Sequence, residues 1–207
     1  MLRPRLIVIT DSELVPRPEL EARVTALASL ARPGSVLVQL RDRTLPARER
    51  LELGRHLAKL ARDHGQLFAV NDALDLARLL AADALHLGEH SVSTADARAL
   101  LGSIWISRAC HDPAAAGVPG ADAVLLSPVF APRKGAAALG LEGLRLALRH
   151  ARGRPEPGLV YALGGVTPEH AQQALRAGAD GVAAIAAALV DPDPIPLLEA
   201  LGIRSSS

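Results

Sequence analysis

Three observations predict an α/β chain closed into a parallel (β/α)8 barrel. Eight short apolar runs alternate with helical patterns along 207 residues, nearly every run is apolar on both faces, and a small unit recurs where helix returns to strand. A strand covered on both sides reads as a continuous apolar run rather than an alternation, and such strands belong to parallel sheets sheathed by helices. An open doubly wound sheet is the alternative, because periodicity does not register closure.

In order, the strands read LIVIT (6–10), SVLVQLR (35–41), LFAVN (67–71), ALHLG (84–88), IWISRA (104–109), AVLLSPV (123–129), LVYALGG (159–165) and GVAAIAA (181–187). Between the second and third, PARERLELGRHLAKLARDHG places Leu51, Leu53, His56, Leu57 and Leu60 along one side of a helix. Thr94 stands before ADARALLG as a cap, and Thr167-Pro168-Glu169 combines a cap, a first-turn proline and an acid. AADAL (81–85), GADAV (120–124) and GADGV (178–182) each launch a strand, so the repeated unit is helix, small-residue turn, strand. No linker divides the chain, which predicts one compact domain over 1–203 and a frayed tail over 204–207.

Composition narrows the function. A net charge of +1 and 2% aromatics supply neither the basic surface nor the stacking platforms of a nucleic-acid binder. The apolar run after MLRPR is too short for a secretory core, and no run is long enough to span a bilayer, so a soluble cytoplasmic protein is expected. The single cysteine, Cys110, excludes an intramolecular disulfide framework and a cysteine-based zinc site, and reads as a small core residue. A homodimer is left open.

Polar residues gather where strands end, the rim on which barrel enzymes carry their functional groups. Thr10-Asp11 closes the first strand, Asn71-Asp72 the third, His86 and Gly88 the fourth; Arg108 and His111 follow the fifth. In SVLVQLRDR, Gln39, Arg41 and Arg43 fall at alternate positions and project together from an extended chain. Two guanidiniums, an amide and a carboxylate predict a grip on a phosphorylated substrate, with the carboxylate serving a divalent cation. A surface salt-bridge patch with Asp42 or Glu49 is the other reading. His86 and His111 have the chemistry of a general acid or base, or of strand-end residues satisfying local backbone.

Gly164-Gly165, at the seventh strand end and ahead of a helix start, suits close approach of an anion to the backbone, or an ordinary tight turn. The segment SPVFAPRKGAAALGLEGL is too long for a simple turn and reads as a mobile lid. It contains Lys134, one of only two lysines in the chain.

The ordered pieces VQLRDR, VNDALDLA, ADALHLGE, GADAVLLSPVF, LGLEGL, ALGGVTPEHA and AGADGVAAIAAAL resemble the thiamine phosphate synthase family, which includes the TenI-type thiazole tautomerases. The resemblance covers nearly the whole chain and implies a TIM barrel acting on small phosphorylated thiamine precursors. In the synthase reaction, hydroxymethylpyrimidine pyrophosphate loses pyrophosphate and the resulting cation is captured by thiazole phosphate. By that resemblance Gln39, Arg41, Arg43 and Asn71 bind the pyrimidine pyrophosphate, Asp72 ligates Mg²⁺, and Lys134, with Arg41, meets the leaving pyrophosphate. Gly164, Gly165, Ile185 and Ala186 receive the thiazole phosphate. The chain departs from the family pattern at several points. Arg43 replaces a lysine, Ser91 the second metal-binding aspartate (with Glu89 and His90 beside it), and Ala109 and Ala186 two serines. The lid is shortened to APRK, and Pro128 stands where the tautomerase has its histidine. A TenI-type tautomerase and a non-catalytic barrel that binds a thiamine precursor for regulation are the alternatives.

Overall fold

The computed structural model describes residues 2–132 and 135–206. Those residues form eight parallel strands: β1 (Leu6–Ile9), β2 (Val36–Leu40), β3 (Leu67–Asn71), β4 (Ala84–Leu87), β5 (Trp105–Cys110), β6 (Ala123–Leu126), β7 (Leu159–Leu163) and β8 (Gly181–Ala184). Each is hydrogen-bonded to the next, and β8 pairs with β1, so the sheet closes into a barrel. The open-sheet alternative falls with that last pairing. Every predicted strand is present, most of them shorter at the carboxyl end than the apolar run suggested. The residues beyond those ends belong to the rim loops.

The helices are α1 (Arg17–Leu30), α2 (Ala47–Asp63), α3 (Leu74–Leu79), α4 (Thr94–Leu101), α5 (Gly140–Arg152), α6 (Pro168–Arg176), α7 (Ala186–Leu189) and α8 (Ile195–Ala200). After β5 the crossover contains only a 3₁₀ turn, Pro113–Ala115. Thr167 caps α6 as expected, accepting from the His170 N–H at 3.2 Å. At α4 the cap is Ser93, which accepts from the Asp96 N–H at 3.1 Å, while Thr94 lies inside the helix and donates to the Pro119 carbonyl. On α2, Leu53, Leu57 and Leu60 are buried as predicted, but His56 is exposed and Gly54, Ala58 and Ala61 take the rest of the buried face. An imidazole among leucines would leave polar nitrogens without partners; at the edge it reaches Glu21, 3.4 Å away.

Strand residues alternate between two cores. Leu6, Val8, Val36, Val38, Phe68 and Val70 pack outward under the helices, while Ile7, Ile9, Leu37, Ala69, Ala84 and Ala123 point into the barrel. Four interior positions are alanines (69, 84, 123 and 183), and the space they leave is filled by the chain's single tryptophan and single tyrosine. Trp105 and Tyr161 meet edge to face with ring centroids 6.3 Å apart, and the Tyr161 hydroxyl donates to the Pro4 carbonyl at 2.8 Å.

The repeated turn also has a structural meaning. Asp83, Asp122 and Asp180, the aspartates of the three repeats, each donate a backbone N–H to a residue of the preceding strand (Phe68, Ile106 and Val160) and accept that residue's N–H on Oδ2. One aspartate thus holds the start of each even-numbered strand from β4 onward in register with its neighbour. Within the tail expected to be frayed, Arg204 bridges to Ala31 and the Ser205 N–H donates to the Leu30 carbonyl. Among the described residues, no helix is long and apolar enough to cross a membrane.

Candidate active site

The carboxyl ends of the strands surround a cavity of about 630 Å³. Ile9, Leu125, Leu163 and Ile185 form its apolar floor, and Gln39, Arg41, Arg43, Asn71, Asp72, His86 and His111 its polar wall. The polar wall therefore draws on the ends of four strands, β2 to β5, far apart in the chain. Gly164, Gly165 and Ala186 line an adjoining pocket of about 230 Å³, which shares Leu163 and Ile185 with the larger cavity. Lys134 lies outside the described residues.

The polar wall is ordered from Asp72 outward. A carboxylate only accepts, so Asn71 must turn its Nδ2 toward Asp72 Oδ2, at 2.7 Å. Its Oδ1 then faces Gln39, which presents Nε2 at 3.2 Å. The Gln39 Oε1 is left buried without a hydrogen-bond partner among the described residues. A buried carbonyl oxygen in that state is destabilising unless something supplies a donor. The charge on Asp72 thus dictates the orientation of two amides and creates a vacant acceptor.

Asp72 itself has φ = +59°, a left-handed conformation that aspartate tolerates better than most residues. It accepts the Gly88 N–H at 2.8 Å, the Ser91 hydroxyl, and the Arg43 guanidinium at 3.0 Å. Partial burial acts to raise its pKa, but the Gly88 N–H, the Ser91 hydroxyl and the Arg43 charge outweigh it, and the carboxyl is held below its ordinary value.

The two arginines meet different acids. Arg41 lies 3.6 Å from Asp11, and Arg43 reaches Asp72 rather than the expected Asp42 or Glu49. Asp42, set between them and out of phase with their alternation, is buried. It accepts from the Thr10 hydroxyl and from the Ser12 N–H at 2.5 Å, while the Thr10 oxygen accepts the Arg41 N–H at 3.0 Å. Rather than joining a surface salt-bridge patch, Asp42 ties the loop after β1 to the end of β2. Being off the alternating face was the one available signal.

The two histidines differ in state. His86 is buried, with Nδ1 2.9 Å from the Ser107 hydroxyl, and burial lowers its pKa from 6.5 to about 4. Nearby Asp72 opposes that fall, and Arg43, Arg41 and Arg108 add to it. His111 Nδ1 lies 2.7 Å from the Ser127 carbonyl. A carbonyl cannot donate, so Nδ1 carries the proton and Nε2 is left toward Glu89, 3.9 Å away.

The loop after β6 is sewn at its root. Val129 and Phe130 donate to the Leu163 and Gly164 carbonyls, and Leu139 and Gly140 return to the Pro128 and Val129 carbonyls. A Cβ on Gly165 (φ = +70°) would sit 2.5 Å from the Cβ of Ala131, so the glycine first of all lets this loop pass. Sequence reading missed His170. It stacks on Phe130 at 4.3 Å and its Nδ1 lies 2.6 Å from the Gly165 carbonyl, joining the loop after β6 to that after β7.

No cluster of three or more His, Cys, Asp or Glu side chains with metal-binding geometry occurs among the described residues. Among the acidic residues, Asp72 at the end of β3 and Glu89 after β4 are the two that line the cavity. That donor set fits Mg²⁺, which is characteristically held by one or two carboxylates and completed by substrate phosphate and water.

Fold and cavity together define an α/β-barrel of the class whose enzymes work from the carboxyl ends of the strands. Comparison with known proteins narrows this. Residues 6–188 match the family model for thiamine monophosphate synthase, TMP-TENI, and the chain belongs to that family. It is 42% identical over 190 residues to the thiamine-phosphate synthase of Moorella thermoacetica, covering 88% of this chain and 86% of that one. With the thiamine-phosphate synthase of Thermus thermophilus it shares 35% identity over 198 residues, covering 92% and 94% of the two chains. Among solved structures, the thiamine phosphate pyrophosphorylase of Pyrococcus furiosus superposes with a TM-score of 0.82 at 29% identity, covering 97% and 96%.

Proposed function

We propose that the chain joins hydroxymethylpyrimidine pyrophosphate to thiazole phosphate, releasing pyrophosphate, with Mg²⁺ held at Asp72. One observation carries this reading: the unpartnered Gln39 Oε1 lies in the wall that also presents Arg41 and Arg43. Such a wall wants an N–H donor and a polyanion on one small molecule, and an aminopyrimidine pyrophosphate supplies both. The adjoining glycine-lined pocket gives a second, separate place for the phosphate of the thiazole.

In the reaction the bond between the pyrimidine methylene and the pyrophosphate oxygen breaks, the electron pair leaving with the oxygen. The thiazole nitrogen then forms a bond to the methylene carbon. Bound Mg²⁺ would neutralise charge that develops on the departing oxygens. Arg41 and Arg43 bind the same oxygens as fixed cations, Gln39 and Asn71 orient the ring, and the apolar floor of Ile9, Leu125 and Leu163 excludes water from the cation. Lys134 adds a third cation by resemblance to the family. His111, whose Nε2 lies on the cavity side toward Glu89, is the better placed histidine for a proton transfer; burial makes His86 the weaker base.

The test is pyrophosphate release on mixing the two substrates with Mg²⁺. Asp72→Asn should lower kcat by about 100-fold or more, the scale on which charge stabilisation at a leaving group acts. A variant that keeps wild-type turnover would sink the proposal. A metal-independent absorbance change with a carboxythiazole phosphate would move the chain to the tautomerase branch.

A further inference from the structure

Asp72 holds more donors than orientation of the amides requires. Two carboxylate oxygens offer about four lone-pair directions. Oδ1 takes the Gly88 N–H and the Ser91 hydroxyl, and Oδ2 takes Asn71 Nδ2 and the Arg43 guanidinium. Every direction is filled by the protein.

Three of these donors are fixed. Gly88 donates from the backbone, and Asn71 is buried and tied to Gln39. Ser91 sits in a loop pinned by Arg108, whose guanidinium donates to the carbonyls of Val92 at 2.8 Å and of Gly88 and Glu89 at 3.3 Å. The fourth is different. Arg43 extends from beyond the end of β2, and its side chain is 57% exposed. It is the donor that can leave.

A bare divalent cation approaching Asp72 must displace a donor and then sit beside a guanidinium. Both demands oppose binding. A pyrophosphate removes both, since it offers Arg43 a bidentate, more highly charged partner and brings its own oxygens to complete the coordination shell. We propose that Arg43 guards Asp72: in the ligand-free chain it occupies the cation's place on Oδ2, and only an anion that draws it away admits the metal. Cation and phosphate therefore bind as a coupled pair, each tightening the other. The inference rests on the synthase reading for the cation at Asp72 and for the identity of the anion.

The experiment titrates Mn²⁺ into the full chain, following the free-ion electron paramagnetic resonance signal and water-proton relaxation, with and without inorganic phosphate. For the wild type, phosphate should tighten Mn²⁺ binding by about tenfold or more. Arg43→Gln should bind Mn²⁺ alone about tenfold more tightly than wild type and lose most of the phosphate effect. Arg43→Lys, which keeps the charge, should stay closed to Mn²⁺, and adding Asp72→Asn to Arg43→Gln should abolish the gain. Equal Mn²⁺ affinity in wild type and Arg43→Gln overturns the guard. So does a phosphate effect below about twofold in the wild type, a measurement that needs no variant to fold. Pyrophosphate release from the paired substrates is measured separately. If release persists while the guard fails, only this inference is lost; if coupling is seen without release, the guard stands and the synthase reading falls.

Discussion

The His86 ring ends β4 with its Nδ1 on the Ser107 hydroxyl, and burial takes its pKa from 6.5 to about 4. Above pH 6.5 the ring is neutral in both folded and unfolded chains and is neutral in its effect on pH dependence. As pH falls from 6.5 toward 4 the unfolded chain takes up the proton first, so stability is lost across that window, by on the order of 3 kcal/mol. The Asp72 carboxyl, held below its ordinary value, contributes stability that is lost only at lower pH, beneath the ordinary carboxylate range. The two effects therefore separate. His86→Gln should flatten the stability curve between pH 6.5 and 4 in urea unfolding followed by circular dichroism; an unchanged slope would show that the ring protonates freely in the folded chain. Cys110 behaves as a core residue: burial raises its thiol to about 11, with Asp112 adding to the rise.

At the scale of elements, the loops after β6 and β7 depend on one close approach. At Gly165 the backbone is left-handed, and an added Cβ would lie 2.8 Å from the Ala131 nitrogen as well as 2.5 Å from its Cβ. Backbone cannot yield as a flexible side chain can. Gly165→Ala should destabilise by about 1–3 kcal/mol, from overpacking together with positive φ. It should also weaken binding of thiazole phosphate by displacing the wall of the smaller pocket. A variant with wild-type melting temperature and wild-type thiazole phosphate affinity would show that the loops shift freely. The aspartate repeat was visible as letters, but its role was not. Which strand residue Asp83, Asp122 and Asp180 bond is set by the register between neighbouring strands.

For the whole molecule, closure joins β8 to β1, and Gly181 is the tightest point. A Cβ there would sit 2.3 Å from the Arg5 carbonyl oxygen that accepts the Val182 N–H. Inside the closed barrel, Trp105 and Tyr161 carry the volume that four alanines do not. Trp105→Ala should cost about 3–5 kcal/mol by loss of buried area and the cavity left behind, read from urea unfolding by circular dichroism. A loss below about 1 kcal/mol would mean that the interior collapses around the gap. Trp105 does not line the rim cavity, so substrate affinity of the folded fraction should change little.

The sequence by itself determined the strands, their order and the set of residues at their carboxyl ends, because a strand buried on both faces must be apolar throughout and its polar residues can only fall at its ends. Alternation also placed Gln39, Arg41 and Arg43 on one side, and all three line the cavity. The tertiary structure alone decided what each group meets. Asp42 turned inward to Thr10, Arg43 crossed to Asp72, and Gly165 opened space for Ala131 before any ligand. These partners lie about 30 residues apart in the chain. Hydrogen bonds and contacts across such a separation depend on strand register and barrel closure, which no local pattern of residues encodes.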